Sequence, residues 1–329
     1  MLKYKIGKKI FNTNWSLIIE AERGFYMKNN ISISMTAQEA NCMTHSGIFH
    51  ADEVMATVLL SKILPEVKVY RTFKVPENIA EDVIVYDIGG GIYDHHQRSF
   101  NEARENGIKF SSFGLLWRKF GMQLLSDNQN AEMVFELFDK SFVMGIDAVD
   151  NGQIERTDGG VQVMSISGAI SAFNPNWDEK TDADECFLKA VAFAEIIFDN
   201  ALAGAIAKAK AKAGVENAIE KSANGIMILD EFMPWQDFLF NSINRKAADI
   251  LYVVFPSNRG GYNVNAVPDA PGSFGQRKPL PQSWAGLRGS ELAAASGVAT
   301  ANFCHPAKFI CGADTLEGAL QMAKKAVEA

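Results

Sequence analysis

The run Val83-Ile84-Val85-Tyr86 is apolar without interruption and stops at an acid, Asp87. A strand that is apolar on both faces must be covered on both, which in practice means the interior of a parallel sheet with helices above and below. The surrounding pattern agrees. Asn41–Thr44 and Val67–Phe73 read as strands, and Ala51–Leu64 places Val54, Val58, Leu59 and Ile63 at helical spacing. Helical patterns return at Ser111–Phe120 and Ala131–Met144. Strands alternating with helices predict an α/β fold built on a parallel sheet.

The second half changes character. A long helix is predicted from Asp182 to about Ala213, with Thr181 and Asp184 resembling a capping box and Phe187, Val191, Ala194 and Phe198 at helical spacing. Its alanine-rich end reads either as a spacer between domains or as a packed surface helix. Strands follow at Ile226–Leu229, Ile250–Phe255 and Tyr262–Val267, then a Gly/Pro-rich loop at Pro268–Gly289 and an amphipathic helix at Thr315–Val327. The expected organisation is an N-terminal domain over 35–200, a connector over 201–225 and a smaller α/β domain over 226–329. Residues 1–34 carry six Lys/Arg against Glu20 and Glu22, and lack the apolar core and cleavage site of a signal peptide. They are expected to be a dispensable extension, with Met35 opening the functional chain.

The net charge is -7, divided into +4 over residues 1–34 and -11 over the remainder. Such acidity excludes a broad basic surface gripping nucleic acid. No unbroken apolar run approaches the roughly 18 residues of a membrane span, so no membrane association is expected. The four cysteines show neither a disulfide framework nor paired metal spacing, which points to a reducing cytoplasm.

Four of the five histidines fall in two short acidic clusters: Thr44-His45-Ser46-Gly47-Ile48-Phe49-His50-Ala51-Asp52-Glu53 and Tyr93-Asp94-His95-His96-Gln97-Arg98. Asp87 stands between them, and Ile146-Asp147-Ala148-Val149-Asp150-Asn151-Gly152 follows. Ligands collect at the carboxyl ends of parallel strands, and all four segments are expected there, in loops. A lone histidine or strand-terminal aspartate is usually structural, but this many together are not. Imidazole mixed with carboxylate suits Mn, Zn or Fe(II) better than calcium. The donors exceed what one tetrahedral ion needs, and two divalent cations would use them, a pairing suited to in-line phosphoryl displacement.

Asp94-His95-His96 resembles the namesake motif of the DHH phosphoesterase superfamily. The longer strings 44–53, 93–98 and 146–152 resemble one branch of it, the melanocyte-proliferating-gene family. So do Arg-Lys-Pro-Leu-Pro (277–281), Trp-Ala-Gly-Leu-Arg (284–288) and Phe-Cys-His-Pro-Ala-Lys-Phe-Ile (303–310). The resemblance runs from about residue 43 to the C-terminus. It implies a DHH-type catalytic domain, a substrate-binding C-terminal domain, two divalent cations (usually manganese, with Mg, Zn or Fe(II) as alternatives) and 3′→5′ exonuclease activity on RNA. By motif, His45, His50, Asp52 and His95 would be metal ligands and Asp87 would bridge the ions. His96 would face the scissile phosphate and Asp94 would orient the histidine pair. Asp150, followed by Asn-Gly, best matches the fourth-motif acid, with Asp147 as the alternative. His50 departs from the superfamily pattern, since many relatives place an aspartate there.

Between Pro256 and Ser290 the charged residues are Arg259, Arg277, Lys278 and Arg288 against Asp269. Arginine forks suit phosphate, so Arg277, Lys278 and Arg288 are substrate-binding candidates, joined by Arg98 and His305. Trp284 is either a base-stacking residue or a core aromatic. Gly89–Gly91 reads as a tight turn, and Cys304, His305 and Cys311 are thin support for zinc. The expected partner is single-stranded RNA or another phosphodiester. The alternatives are a phosphoesterase of pyrophosphate, short oligonucleotides or cyclic dinucleotides, and a metal-containing binding protein without turnover. No oligomeric state follows from the sequence.

Overall fold

In the computed structural model, residues 30–98, 100–154, 157–158 and 160–329 are described. Ile31–Ile33 (β1), Cys42–His45 (β2), Val67–Thr72 (β3) and Ile84–Val85 (β4) form a parallel sheet ordered β1-β3-β2-β4. The apolar run that opened the sequence reading hydrogen-bonds as strand only at Ile84–Val85. Tyr86 still donates to Met43 O at 3.0 Å, and Asp87 then leaves the sheet with φ 59°. β1 corrects the expected extension over 1–34. Its parallel pairing with Val67–Val69, and the bond from Ser34 N to Val69 O at 2.8 Å, make residues 30–34 part of the fold. Residues 1–29 lie outside the described residues.

Helix Ala51–Ile63 (α1) is buried continuously from Ala51 to Ser61, as expected of a helix apolar on most sides and enclosed by its domain. Ser112–Leu124 (α2) packs beside it through Phe113, Leu116 and Trp117. Ala131–Phe138 (α3), a π turn at Asp139–Val143 and Met144–Asp150 (α4) make one continuous helical run. The expected loop positions are therefore corrected. His50 caps α1, Asp52 stands in its first turn, and Asp147 and Asp150 lie within α4. Two short strands, Thr157–Asp158 (β5) and Val161–Gln162 (β6), pair antiparallel before Ile166–Ser171 (α5).

Ala183–Lys221 (α6) is a single helix of 39 residues, longer than expected because nothing in the alanine-rich stretch breaks it. It contains an 18-residue window of mean hydropathy 1.6, long and apolar enough to cross a membrane, where the sequence reading foresaw none. One face of it is core: Phe187, Val191, Ala194 and Phe198 are buried in the first half, and Val215, Ala218 and Ile219 in the second. The first half is fixed by Arg71, which is buried, lies 2.7 Å from Asp184 and stacks 4.5 Å from the Phe187 ring centroid. Lys62 adds contacts of 2.7 Å to Glu195 and 2.8 Å to Asp199.

The chain divides into two compact units between Ala203 and Gly204, inside α6. The expected connector is therefore no bare spacer: its Val215, Ala218 and Ile219 pack in the second unit's core. That unit is a five-stranded sheet ordered β10-β11-β9-β8-β7. It comprises Ile226–Ile228 (β7), Gln236–Asn241 (α7), Lys246–Asp249 (α8), Tyr252–Pro256 (β8) and Tyr262–Ala266 (β9). Gly289–Ser296 (α9), Ala301–Cys304 (β10), Ile310–Ala313 (β11) and Leu316–Glu328 (α10) complete it. Only β7 and β8 pair in parallel. Along β8 successive residues alternate between cores: Tyr252 and Val254 pack with Met322 and Ala323 of α10, Val253 and Phe255 with Val215 and Ile219 of α6. Trp284 is buried in the first of these cores, which corrects the base-stacking option.

Two expected phosphate-binding cations are engaged in capping. Arg277 Nη1 donates to the carbonyls of Ala247, Ala248 and Ile250 at 2.7, 3.1 and 2.9 Å. Lys278 Nζ donates to Val327 O at 2.7 Å. Both serve the orphan carbonyls at helix C-termini, where a cation is favoured. The reading of Arg277 and Lys278 as a phosphate clamp is corrected accordingly.

Replacing Arg277 with Ala should cost about 1–3 kcal/mol of stability, the range for a hydrogen-bonded charged group, read as a lower urea midpoint. Gly114 offers a second check. A Cβ there would lie 2.0 Å from Asp147 Oδ2, so Gly114→Ala should cost about 2 kcal/mol or more through overpacking and a displaced buried carboxylate. An unchanged midpoint in either variant contradicts the corresponding contact.

Candidate metal centre

The centre forms where the parallel sheet ends. β2 delivers His45 at its carboxyl end, and β4 delivers Asp87 two residues past its own. The positive φ at Asp87 turns the chain back, with Asp87 N donating to Tyr93 O at 3.0 Å, and so sets up the His95–His96 segment. α1 starts with His50 as its N-cap, whose backbone N donates to Glu53 Oε1 at 2.8 Å. This places Asp52 and Glu53 in the first helical turn, where the helix dipole favours carboxylates.

The donors converge in four overlapping groups, each with its ligating atoms within 4.8 Å of one another: His45, His50 and Glu53; His50, Asp52 and Asp150; Asp52, Glu53 and Asp87; and Asp87, Asp94, His95 and His96. His45 Nε2 lies 2.9 Å from Glu53 Oε1 and 3.3 Å from Asp87 Oδ2. His95 Nδ1 lies 3.3 Å from Asp87 Oδ1, and its Nε2 lies 2.8 Å from Asp150 Oδ2. Asp87 therefore stands between both histidine clusters, while Asp150 links His95 to the first. Asp94 accepts from Gly90 N at 2.7 Å and from His96 N at 3.0 Å, and its Oδ1 lies 3.1 Å from His96 Nδ1. It orients the His96 ring, whose side chain remains 59% exposed.

Glu53 belongs to the centre and was missed in the sequence reading. Its position three residues after the N-cap looks like ordinary capping, yet its side chain is fully buried beside His45. Ser112 was missed too; its hydroxyl donates to Asp52 Oδ2 at 2.7 Å.

Asp147 is placed elsewhere. Its carboxylate accepts from Ser111 Oγ at 2.5 Å and Gly114 N at 3.1 Å, and lies 2.8 Å from Arg104 Nη2. Burial lifts it to about 6 against the pull of Ser111 and Arg104. Of the two fourth-motif candidates, the structure brings Asp150 to the cluster and gives Asp147 to a structural network.

The electrostatics ask for positive charge. Burial disfavours charge on His45, yet Asp87 and Glu53 raise it to about 10; Asp150 and Asp87 do the same to His95, also to about 10. Burial would raise Asp87, but His45 and His95 hold it down to about 2. Asp52 is pushed well up by burial and by the charges of Asp87, Asp150 and Glu53, with Ser112 opposing. Buried oxygens remain without a hydrogen-bond partner: Asp52 Oδ1, Glu53 Oε2 and both oxygens of Asp87, as does His95 Nδ1. Hard anionic oxygens mixed with imidazole nitrogens, buried and aimed at one another, fit divalent metal. His45, His50, Asp52, Glu53, Asp87, His95 and Asp150 are the residues that could hold it.

The remaining candidates divide. Arg98 is exposed beside the histidine pair. Arg288 and His305 line a cavity of about 590 Å³ in the second unit, together with Arg259, Tyr262, Asn263 and Asn302. Arg277 and Lys278 do not line it. Cys304 and Cys311 face each other across β10 and β11 as buried free thiols.

The family model MYG1_exonuc, described as uncharacterised protein family UPF0160, matches residues 41–327. The human MYG1 exonuclease is 33% identical over 321 residues, covering 85% of this chain and 84% of that protein. A MYG1 protein of Schizosaccharomyces pombe is 33% identical over 318 residues (87% and 96%), and one of Caenorhabditis elegans is 35% identical over 323 (87% and 94%). No solved structure gives a significant match. The matched range contains both histidine clusters, Asp87, Asp150 and the cavity of the second unit. By this match, and by the motifs that carry the candidate centre, the chain belongs to the MYG1 exonuclease family.

Proposed function

We propose that this chain is a divalent-metal-dependent phosphodiesterase of the DHH type, a 3′→5′ exonuclease acting on single-stranded RNA in the cytoplasm. The observation that carries the reading is the set of buried carboxylate oxygens on Asp52, Glu53 and Asp87 that lack hydrogen-bond partners and lie among His45, His50 and His95. The relatives named exonucleases support a nuclease. The four free cysteines suit a reducing compartment.

His45, His50, Asp52, Glu53, Asp87, His95 and Asp150 would hold two divalent cations, manganese by the family resemblance, with Mg, Zn or Fe(II) compatible with the mixed imidazole and carboxylate donors. Bound there, such a pair supplies an activated water and offsets charge at the phosphoryl centre. The protein's own contribution is positioning and proton control. Asp87 is central to both histidine clusters. Asp94 aligns His96, whose exposed ring can donate a hydrogen bond to a phosphate oxygen as charge develops. Arg288, Arg259 and His305 give the second unit a cationic cavity for phosphate or nucleotide, and Arg98 a cation beside the histidine pair.

Asp87→Ala should lose bound metal, measured by elemental analysis, and lose at least about 100-fold in hydrolysis, beyond the usual effect of an outer partner. Asp94→Asn, by contrast, should keep metal and lose about 10–100-fold. Unchanged metal and turnover in Asp87→Ala would sink the scheme.

The substrate class is tested by a panel of single-stranded RNA, single-stranded DNA, a dinucleotide and pyrophosphate, assayed with Mn²⁺ and again with EDTA. RNA should be shortened from its 3′ end, with activity abolished by the chelator. Preferential turnover of pyrophosphate or dinucleotide would favour a small-substrate phosphoesterase, and no turnover by metal-loaded protein a binding role.

A further inference from the structure

The loop after β3 runs along the rim of the metal centre. In the sheet register His45 lies beside Thr72, so Phe73 is the first residue past the paired end of the strands. Its Cε1 lies 3.4 Å from where a Cβ on Gly47 would stand, and Gly47 sits between His45 and His50. Two residues further on, Val75 Cγ2 lies 2.7 Å from the corresponding point on Gly89, in the turn after Asp87. The loop therefore lies in van der Waals reach of the first metal-site turn and is lodged against the second, which needs a glycine to clear it. Thr72 Oγ1 donates to Lys74 O at 2.9 Å and accepts from Lys74 N at 3.3 Å, which fixes the turn.

Despite these anchors the Phe73 ring is 83% exposed. Ile48 and Ile92, in the two histidine-bearing segments, are also exposed, at 69% and 77%. A scattered exposed apolar side chain needs no explanation, but three in the loops around one polar centre are a different matter. Among the described residues the Phe73 ring makes no aromatic or cation–π pair. Lys74, exposed beside it, adds a cation. A fixed aromatic face next to a cation is what an unpaired base and its phosphate require, and every base offers a face to stack on.

We propose that Phe73 stacks on a base of the nucleic acid strand bound at the metal centre, with Lys74 meeting a backbone phosphate. This inference rests on the nuclease reading above and sharpens it. The site takes base-bearing single strands in preference to bare phosphates, with little regard to which base.

The test is a fluorescence titration of the full-length protein with a pentaribonucleotide containing 2-aminopurine, competed by an abasic pentamer of equal charge. The wild type should bind the base-bearing strand about 10-fold more tightly and quench it, within the range of stacking contributions. Phe73→Ala should bring that ratio close to one without shifting the urea midpoint, and Phe73→Trp should restore it. A ratio unchanged in Phe73→Ala, an equal loss for both strands, or an altered oligomeric state in place of altered binding would overturn the assignment. Turnover is read separately. A wild type that prefers the base-bearing strand yet hydrolyses none with Mn²⁺ contradicts the nuclease reading and leaves the stacking assignment standing.

Discussion

Three carboxylates, Asp52, Glu53 and Asp87, are buried within reach of one another at the carboxyl end of a parallel sheet. Removing one carboxylate from water is costly, and bringing three together adds mutual repulsion. The protein offsets part of this locally. The α1 N-terminus favours Asp52 and Glu53, Ser112 donates to Asp52, and the imidazoles of His45 and His95 lie within 3.3 Å of the acids they face. What remains is the set of oxygens with no partner, and only cations complete it. The elements that deliver these side chains are fixed by that demand. The ends of β2 and β4, the first turn of α1 and the last turn of α4 must meet at one place.

The position of Asp150 illustrates how such convergence is enforced. It sits on the last turn of a helical run interrupted by a π turn at Asp139–Val143. Three residues earlier, on the neighbouring face, Asp147 is clamped by Ser111, Gly114 and Arg104, and Arg104 also lies 2.6 Å from Asp139. The clamp spans the π turn and joins α4 to the start of α2, which carries Ser112. Asp147 thus sets the rotation of the helix that presents Asp150, and Gly114 permits the approach. The two aspartates of Ile146–Gly152 divide the work, one as a fixed support and the other as a donor to the centre.

Much of this was legible in the residues. Helical spacing found α1, the apolar run found the strand before Asp87, and the two histidine clusters marked the centre. Failures occurred where a local pattern carries two meanings. Glu53 reads as a capping residue because it is one, and only the fold shows it against His45. The Asn-Gly that follows Asp150 favours it over Asp147, but spacing alone does not exclude Asp147, whose separate neighbours are supplied by long-range packing. Arg277 and Lys278 look like a phosphate clamp in a glycine-rich loop, but the carbonyls they serve belong to helix ends 27–49 residues away. Residues 30–34 were assigned to an extension on charge, whereas their place is decided by backbone pairing to β3, which composition does not report.

The acidity of the chain takes its meaning from the same centre. A net charge of -7 argues against a protein that holds nucleic acid over a broad basic surface. Several of the acids responsible are the ones gathered at the end of the sheet, and two divalent cations there would return about four positive charges to a single place. The cations at the candidate sites are few and local: Arg259 and Arg288 line one cavity, Arg98 stands beside the histidine pair and Lys74 beside Phe73. Under the proposed function, affinity at the metal centre would come from the bound cations and from Arg98 and Lys74 of the same unit, which would favour a strand end entering the centre over a long duplex lying across the surface.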